Sequence, residues 1–239
     1  MLNFVEIISL NCYNQRKIHT SEKYMSGLLL KIIALLTMII DHYGAIFQSN
    51  VNYYRIIGRL AFPIYCLLLV EGYTHTSNFK KYATRLFVFA LISEIPFDLA
   101  FYNQIGFVHQ NIFFTLFIGL VAIYLIDSKD GKYKFDNTLI IIAATVLATI
   151  LRTDYQFIGI VYILSLYFTR TYPKKKRLTI VALIMIATNL SAGWMQQFSV
   201  LALIPIYFYN NEPGLKNKFL QMSFYIAYPL HLFIFYIIK

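Results

Sequence analysis

The chain predicts an all-α, polytopic integral membrane helical bundle of about nine transmembrane helices, and three observations predict it. Hydrophobic residues make up 59% of the 239 and charged residues only 13%, roughly half the charge of a soluble domain. The apolar residues gather in runs of about 17 to 22, the length that crosses a hydrocarbon core of about 30 Å. Lys and Arg collect between those runs at every second connection, which is the signature of cytoplasmic loops.

In order, the runs lie at about 28–48, 54–74, 84–103, 111–127, 138–152, 156–171, 178–192, 195–209 and 218–238, each matched to the span of a bilayer. The first four and the last are long. The four between are short, and 138–152 with 156–171 read either as two crossings or as re-entrant hairpins around Arg152, Thr153 and Asp154, so the count runs from about eight to ten.

Arg16, Lys17 and Lys23 precede the first run; Lys80, Lys81 and Arg85 follow the second; Lys129, Lys132 and Lys134 follow the fourth. Arg170, Lys174, Lys175, Lys176 and Arg177 follow the sixth, and Lys216 with Lys218 the eighth. The alternate connections hold only Arg55, His109 and Arg152. This asymmetry predicts the N-terminus inside, the C-terminus outside, and a multi-pass protein of the cytoplasmic membrane. The net charge of +10 and sequence pI near 9.5 are thus topology signals, and no basic face suited to nucleic acid is expected. Residues 28–239 read as one membrane domain without repeats. Residues 1–27 form a polar extension, expected to be dispensable because Met25 stands just before the first run. Cys12 and Cys66, far apart in sequence, support neither a disulfide framework nor a thiolate metal site.

Ionisable groups inside the runs carry the functional reading. An aspartate at mid-membrane costs roughly 2.5–3.5 kcal/mol on insertion scales, so Asp41 and His42 mark a functional site or a structural ion pair. With a rise of about 1.5 Å per residue, His42 lies about 20 Å and His231 about 18 Å above the inner ends of their helices. Glu94 and Asp98 are four residues apart on one helix face, as are Arg55 and Arg59. Like charges at that spacing repel, so the arginine set is expected to pair with the carboxylate set, either as catalytic machinery or as an inert lattice. Asn111 begins a helix at the same side. Glu71, four before His75, lies near the basic inner loop, where it snorkels or helps place a phosphate-bearing donor among Lys81 and Arg85. Pro63, Pro96 and Pro229 are expected to interrupt their helices.

Such a set suits general acid–base work. A neutral His42 near an acceptor can act as the base. Adjacent residues diverge around a helix, so His42 is expected to be steered by Glu94 or Asp98 rather than by Asp41. His231 is a second acid/base or a hydrogen-bond donor. No zinc-binding spacing, P-loop, dinucleotide fingerprint or nucleophile elbow is present, and no metal is expected. Two other readings stay open: a proton-coupled small-solute transporter, which should carry paired repeats, and a non-catalytic component of a conjugation or secretion machine.

The segments LKIIALLTMIIDHYG, IIGRLAFPIYCLLLVEGYTHTSNFKKYATRLFVFALISEIPFDLAF, NIFFTLFIGL and YPLHLFIFYII together resemble the TraX family. The resemblance covers most of positions 30–120 and the final helix, and fades across 128–215 and over residues 1–27. It implies acetyl transfer, since TraX is associated with N-acetylation of conjugative pilin, with cytoplasmic acetyl-CoA as donor. The acceptor it implies is a pilin-like exported peptide, and an envelope glycan fits the sequence equally well. Asp41, His42, Arg59, Glu71, Arg85, Glu94, Asp98, Asn111 and His231 carry over by position. On that reading His42 is the base, Arg59, Asn111 or His231 stabilise the oxyanion, Glu94 and Asp98 orient them, and Glu71, Lys81 and Arg85 meet the donor.

Overall fold

The computed structural model describes residues 25–128, 136–212, 214–215 and 217–239. Residues 1–24 and the Lys129, Lys132, Lys134 and Lys216 loop positions lie outside it. Among the described residues the chain is helical, with no strand and two isolated β-bridges, Met25 to Tyr209 and Gln110 to Thr153.

Helix α1 (Gly27–Phe47) begins where the Ser26 hydroxyl accepts the Leu29 N–H, a normal N-cap. Its buried residues Leu30, Ala34, Met38, Asp41 and His42 share one face, while Leu29, Ile32 and Leu36 point outward. An apolar outer face is what lipid demands of a helix. The predicted second run is not one helix. Helix α2 (Asn52–Gly58) ends in a turn at Arg59 and Leu60, and α3 (Ala61–His75) follows. Pro63 therefore does not interrupt a span: it sits in the first turn of α3, where its missing N–H has no partner to lose.

Asn78 caps α4 (Phe79–Tyr102), which runs through Pro96 and ends on left-handed Asn103. Asn111 caps α5 (Ile112–Asp127), and Asp136 caps α6 (Asn137–Ile150). Helix α7 (Gln156–Phe168) and α8 (Lys174–Asn189) follow. The expected run at 195–209 is a 3-10 helix, Trp194–Ala202, continued by the short α9 (Leu203–Tyr207). At about 2.0 Å per 3-10 residue against 1.5 Å in an α-helix, those few residues reach roughly 25 Å. Asn217 caps α10 (Lys218–Ile238), which contains Pro229.

Among the described residues, three helical stretches are long and apolar enough to cross a membrane by length and composition: Gly27–Phe47, Asn52–His75 and Lys218–Ile238. Apolar α5, α6 and α7 are shorter, at 16, 14 and 13 residues. The core sits where α3, α5 and α7 meet; Ile64, Leu67, Leu120, Ile123, Ile160 and Ile163 are fully enclosed there. Gly119 makes that packing possible, because a Cβ at this position would fall 2.4 Å from Ile163 Cδ1.

Hydrogen bonds fix which ends lie together. The Met25 N–H donates to Phe208 O at 2.8 Å and the Met25 carbonyl accepts from the Asn210 N–H at 3.0 Å, joining the start of α1 to the end of α9. At the opposite end, Lys239 Nζ donates to Ala100 O and Asn103 Oδ1, each at 3.3 Å, tying the end of α10 to that of α4. Helices α1, α4 and α10 thus run the same way, and the polar residues in their second halves share one side of the bundle.

Candidate functional site

On that side His42 and His231 meet. His42 Nδ1 lies 2.7 Å from His231 Nε2, with the rings stacked at 5.0 Å and 10°. The other ring nitrogen of His231, Nδ1, lies 2.8 Å from Ala227 O. A carbonyl only accepts, so His231 Nδ1 carries the proton and its neutral ring accepts at Nε2. His42 must then donate through Nδ1. The chain of bonds leaves His42 Nε2 as an unprotonated nitrogen, the tautomer a base requires, assigned by bonding rather than by sight of hydrogens. Phe101 and Tyr228 stand edge-on to the His42 ring at 5.3 and 5.9 Å and hold its plane.

One residue away, Asp41 faces α2. Arg55 Nη1 reaches its Oδ2 at 2.7 Å, and Arg59 Nη2 reaches both oxygens at 2.7 Å. The expected pairing of Arg55 and Arg59 with Glu94 and Asp98 does not occur. Gly58 explains why: α2 packs so closely on α1 that a Cβ at Gly58 would overlap Asp41 Oδ1 at 2.1 Å, which puts both guanidinium groups on that carboxylate. Arg59 is further held by Gln196 Oε1 at 3.2 Å. Gln196 belongs to the 3-10 segment, whose buried Ser199 hydrogen-bonds Tyr162 and Asn189 at 2.8 and 3.1 Å.

Glu94 and Asp98 serve the connector between α4 and α5 instead. Glu94 Oε2 accepts from the backbone and the side-chain amide of Asn111, and Asp98 Oδ2 accepts the Gly106 N–H at 2.8 Å. Neither carboxylate steers His42, whose partner is His231. Asn111 is fully enclosed, spending its amide on Glu94 and on Ala90 O at 2.8 Å.

Two cavities lie back to back along this axis. The outer one, about 220 Å³, is lined by Asp41, His42, Arg55, Arg59, Tyr102 and Tyr155, and also by Asp154. The inner one, about 330 Å³, holds Lys31, His75, Tyr82, Arg85, Gln221 and Tyr225. Met38, Tyr65, Ile112 and Tyr228 line both and form the partition. Arg85 thus faces the inner cavity, whereas Lys81 is exposed at the start of α4 and Glu71 pairs loosely with His75 at 3.9 Å; neither lines either of these two cavities.

Asp154 and Lys31 were not singled out by sequence reasoning as site residues. Asp154 sits in a connector where Arg152, Tyr155 and Gln156 all have positive φ (51°, 62° and 43°). Left-handed backbone at non-glycine residues costs on the order of 1–3 kcal/mol each and gathers at functional sites. The strain is held by Asp154 N donating to Gln110 O at 2.8 Å, by Gln110 N donating to Arg152 O at 3.0 Å, and by the Thr115 hydroxyl bonding Asp154 O. With Asp154 added, the outer cavity carries two arginines and two carboxylates. Among the described residues, no group of three or more His, Cys, Asp or Glu side chains could hold a metal ion.

A family model described as "TraX protein" matches residues 26–239. The chain is 29% identical over 237 residues, covering 87% of itself and 93% of the relative, to "Probable fimbrial assembly protein FimC, serogroup H1" of Dichelobacter nodosus. It is 28% identical over 109 residues, 46% of this chain and 41% of the relative, to "Uncharacterized protein RP591" of Rickettsia prowazekii (strain Madrid E). No solved structure matches it.

Proposed function

Because the chain belongs to the TraX family, we propose that it is an integral membrane acetyltransferase, moving an acetyl group from cytoplasmic acetyl-CoA to an amine or hydroxyl of an exported fimbrial-type peptide or other envelope component. The observation that carries this reading is the His42–His231 pair, which leaves a free imidazole nitrogen on a ring that lines a cavity beside two arginines. Nine crossings with the N-terminus inside complete the proposal. They place the inner cavity, with Lys31 and Arg85, toward the cytoplasm.

In the proposed reaction His42 Nε2 takes the proton of the acceptor amine or hydroxyl as its lone pair attacks the thioester carbonyl. Arg55 and Arg59 face the developing oxyanion; such a donor in a water-poor site is typically worth about 2.7–4 kcal/mol. His231 has both nitrogens engaged and Asn111 is enclosed away from both cavities, so His231 is a positioning residue and Asn111 shapes the scaffold. Acetyl-CoA supplies the activated acetyl group. The cations of the inner cavity suit its phosphates, and the sulfur leaves as thiol with the proton that His42 returns.

The test is reconstitution in proteoliposomes with radiolabelled acetyl-CoA and an envelope extract. Label should move to an acceptor, His42→Ala should abolish transfer, and Lys175→Ala, an exposed change, should preserve it. Equal transfer by His42→Ala, or none by the wild type, sinks the reading. The name of the Dichelobacter relative favours a second reading, a non-catalytic part in fimbrial assembly, under which His42→Ala leaves assembly intact.

A further inference from the structure

The inner cavity holds charges that the fold does not neutralise. Lys31 on α1 and Arg85 on α4 both line it, and neither forms an ion pair among the described residues. Among the described residues, no Asp or Glu lines this cavity. Arg85 lies between the rings of Tyr82 and Tyr225, 5.4 and 5.1 Å from their centroids, and its Nε is buried without a hydrogen-bond partner. Two uncompensated cations in a half-buried pocket are costly unless an anion joins them.

The distance to the proposed base is informative. Lys31, Met38 and His42 share one face of α1, since seven and eleven residues are close to whole helical turns. Eleven residues rise about 16 Å. The arm of a phosphopantetheine thioester, from phosphorus to acyl carbon, has the chain length of about five extended residues, or roughly 16–17 Å. At about 330 Å³ the cavity is at the small end of ligand pockets, which run from about 300 to 1,000 Å³. It has room for such an arm and not for a whole nucleotide thioester.

Resting on the acyl-transfer reading for its choice of ligand, we infer that Lys31 and Arg85 form an anchor for the single phosphate ester at the head of a pantetheine arm. The arm threads past Met38 and Tyr228 to His42, and the nucleotide stays outside. Specificity is then for the phosphopantetheine thioester rather than for the adenosine portion of coenzyme A.

Binding is measured on the full chain in phosphatidylcholine nanodiscs, with 4′-phosphopantetheine and pantetheine as probes. The wild type should bind the phosphorylated probe at least tenfold more tightly. Lys31→Gln with Arg85→Gln should erase that difference, Lys31→Arg should keep most of it, and Lys175→Ala, an exposed change outside both cavities, should retain it. Coenzyme A should bind within about threefold of 4′-phosphopantetheine. Equal binding of the two probes by the wild type overturns the anchor, and so does coenzyme A binding more than tenfold tighter than 4′-phosphopantetheine. Loss of the preference in phosphatidylglycerol nanodiscs assigns the pair to a lipid headgroup and also overturns it. A phosphate preference without acetyl transfer to any acceptor leaves the anchor standing and defeats only the transferase reading.

Discussion

Gly58→Ala is the sharpest test of how the site is built. A methyl group at this position would sit 2.1 Å from Asp41 Cβ and 2.4 Å from Asp41 Cγ, whereas carbon atoms rest at about 3.5–4.0 Å. Asp41 Cβ is fixed to the α1 backbone, so rotamer change cannot relieve the clash, and α2 must back away by about 1.5 Å or more. Overpacking of this kind costs about 1–3 kcal/mol. For a chain of 239 residues that lowers Tm by about 2–12 °C. The same displacement draws Arg55 and Arg59 off the 2.7 Å contacts that neutralise Asp41, so acetyl transfer should fall at least tenfold. The assay is thermal unfolding of purified protein in nanodiscs beside the transfer assay, with Gly106→Ala as the control because nothing lies within 4 Å of a Cβ there. If Gly58→Ala melts and turns over like Gly106→Ala, the close packing of α2 on α1 is wrong, and the account of why both arginines choose Asp41 goes with it.

Four further outcomes follow from the same geometry. His231→Ala strips the acceptor from His42 Nδ1–H; leaving that donor buried and unpaired costs about 1–3 kcal/mol, read as a drop in kcat of roughly 10- to 100-fold with KM little changed. Removing one partner of a buried ion pair costs about 3–5 kcal/mol, so Asp41→Asn should lower Tm more than Asp41→Asn combined with Arg55→Gln. Tyr162→Phe removes the hydroxyl that joins Asn189 and Ser199 at 2.5 and 2.8 Å, and should lower Tm while transfer by the surviving folded fraction persists. In a Cys12→Ser, Cys66→Ala background, Ile105→Cys should react with an impermeant thiol reagent on intact cells and Lys175→Cys only after permeabilisation. The reverse pattern refutes the N-inside orientation.

Rise along a helix is a local quantity, and the sequence made it legible. The caps at Ser26, Asn78, Asn111 and Asn217 are ordinary helix-starting residues, and the equal depth of His42 and His231 follows from counting residues. What lies across from what depends on how neighbouring helices are rotated and spaced, and that is set by tertiary packing. Charge alone pairs the arginines with Glu94 and Asp98, whereas the close contact at Gly58 delivers them to Asp41. The break at Arg59 falls just before the Pro63 expected to interrupt this run, so the proline marks its neighbourhood and not its place. Asp154 was visible only as part of an ambiguous hairpin, since nothing in Arg152, Tyr155 and Gln156 announces left-handed backbone. Lys31 carries no signal of its own in the sequence, because its meaning depends on Arg85 lining the same cavity from α4.

The stacked imidazoles also set an electrical property. Between them the two rings offer one vacant lone pair, so under the proposed reaction they take up at most one further proton, received and surrendered at the same atom. No charge then travels through the membrane field, where moving one elementary charge across 100 mV is worth about 2.3 kcal/mol. Turnover should accordingly ignore the membrane potential, and collapsing that potential with an ionophore should leave the rate of acetylation where it was.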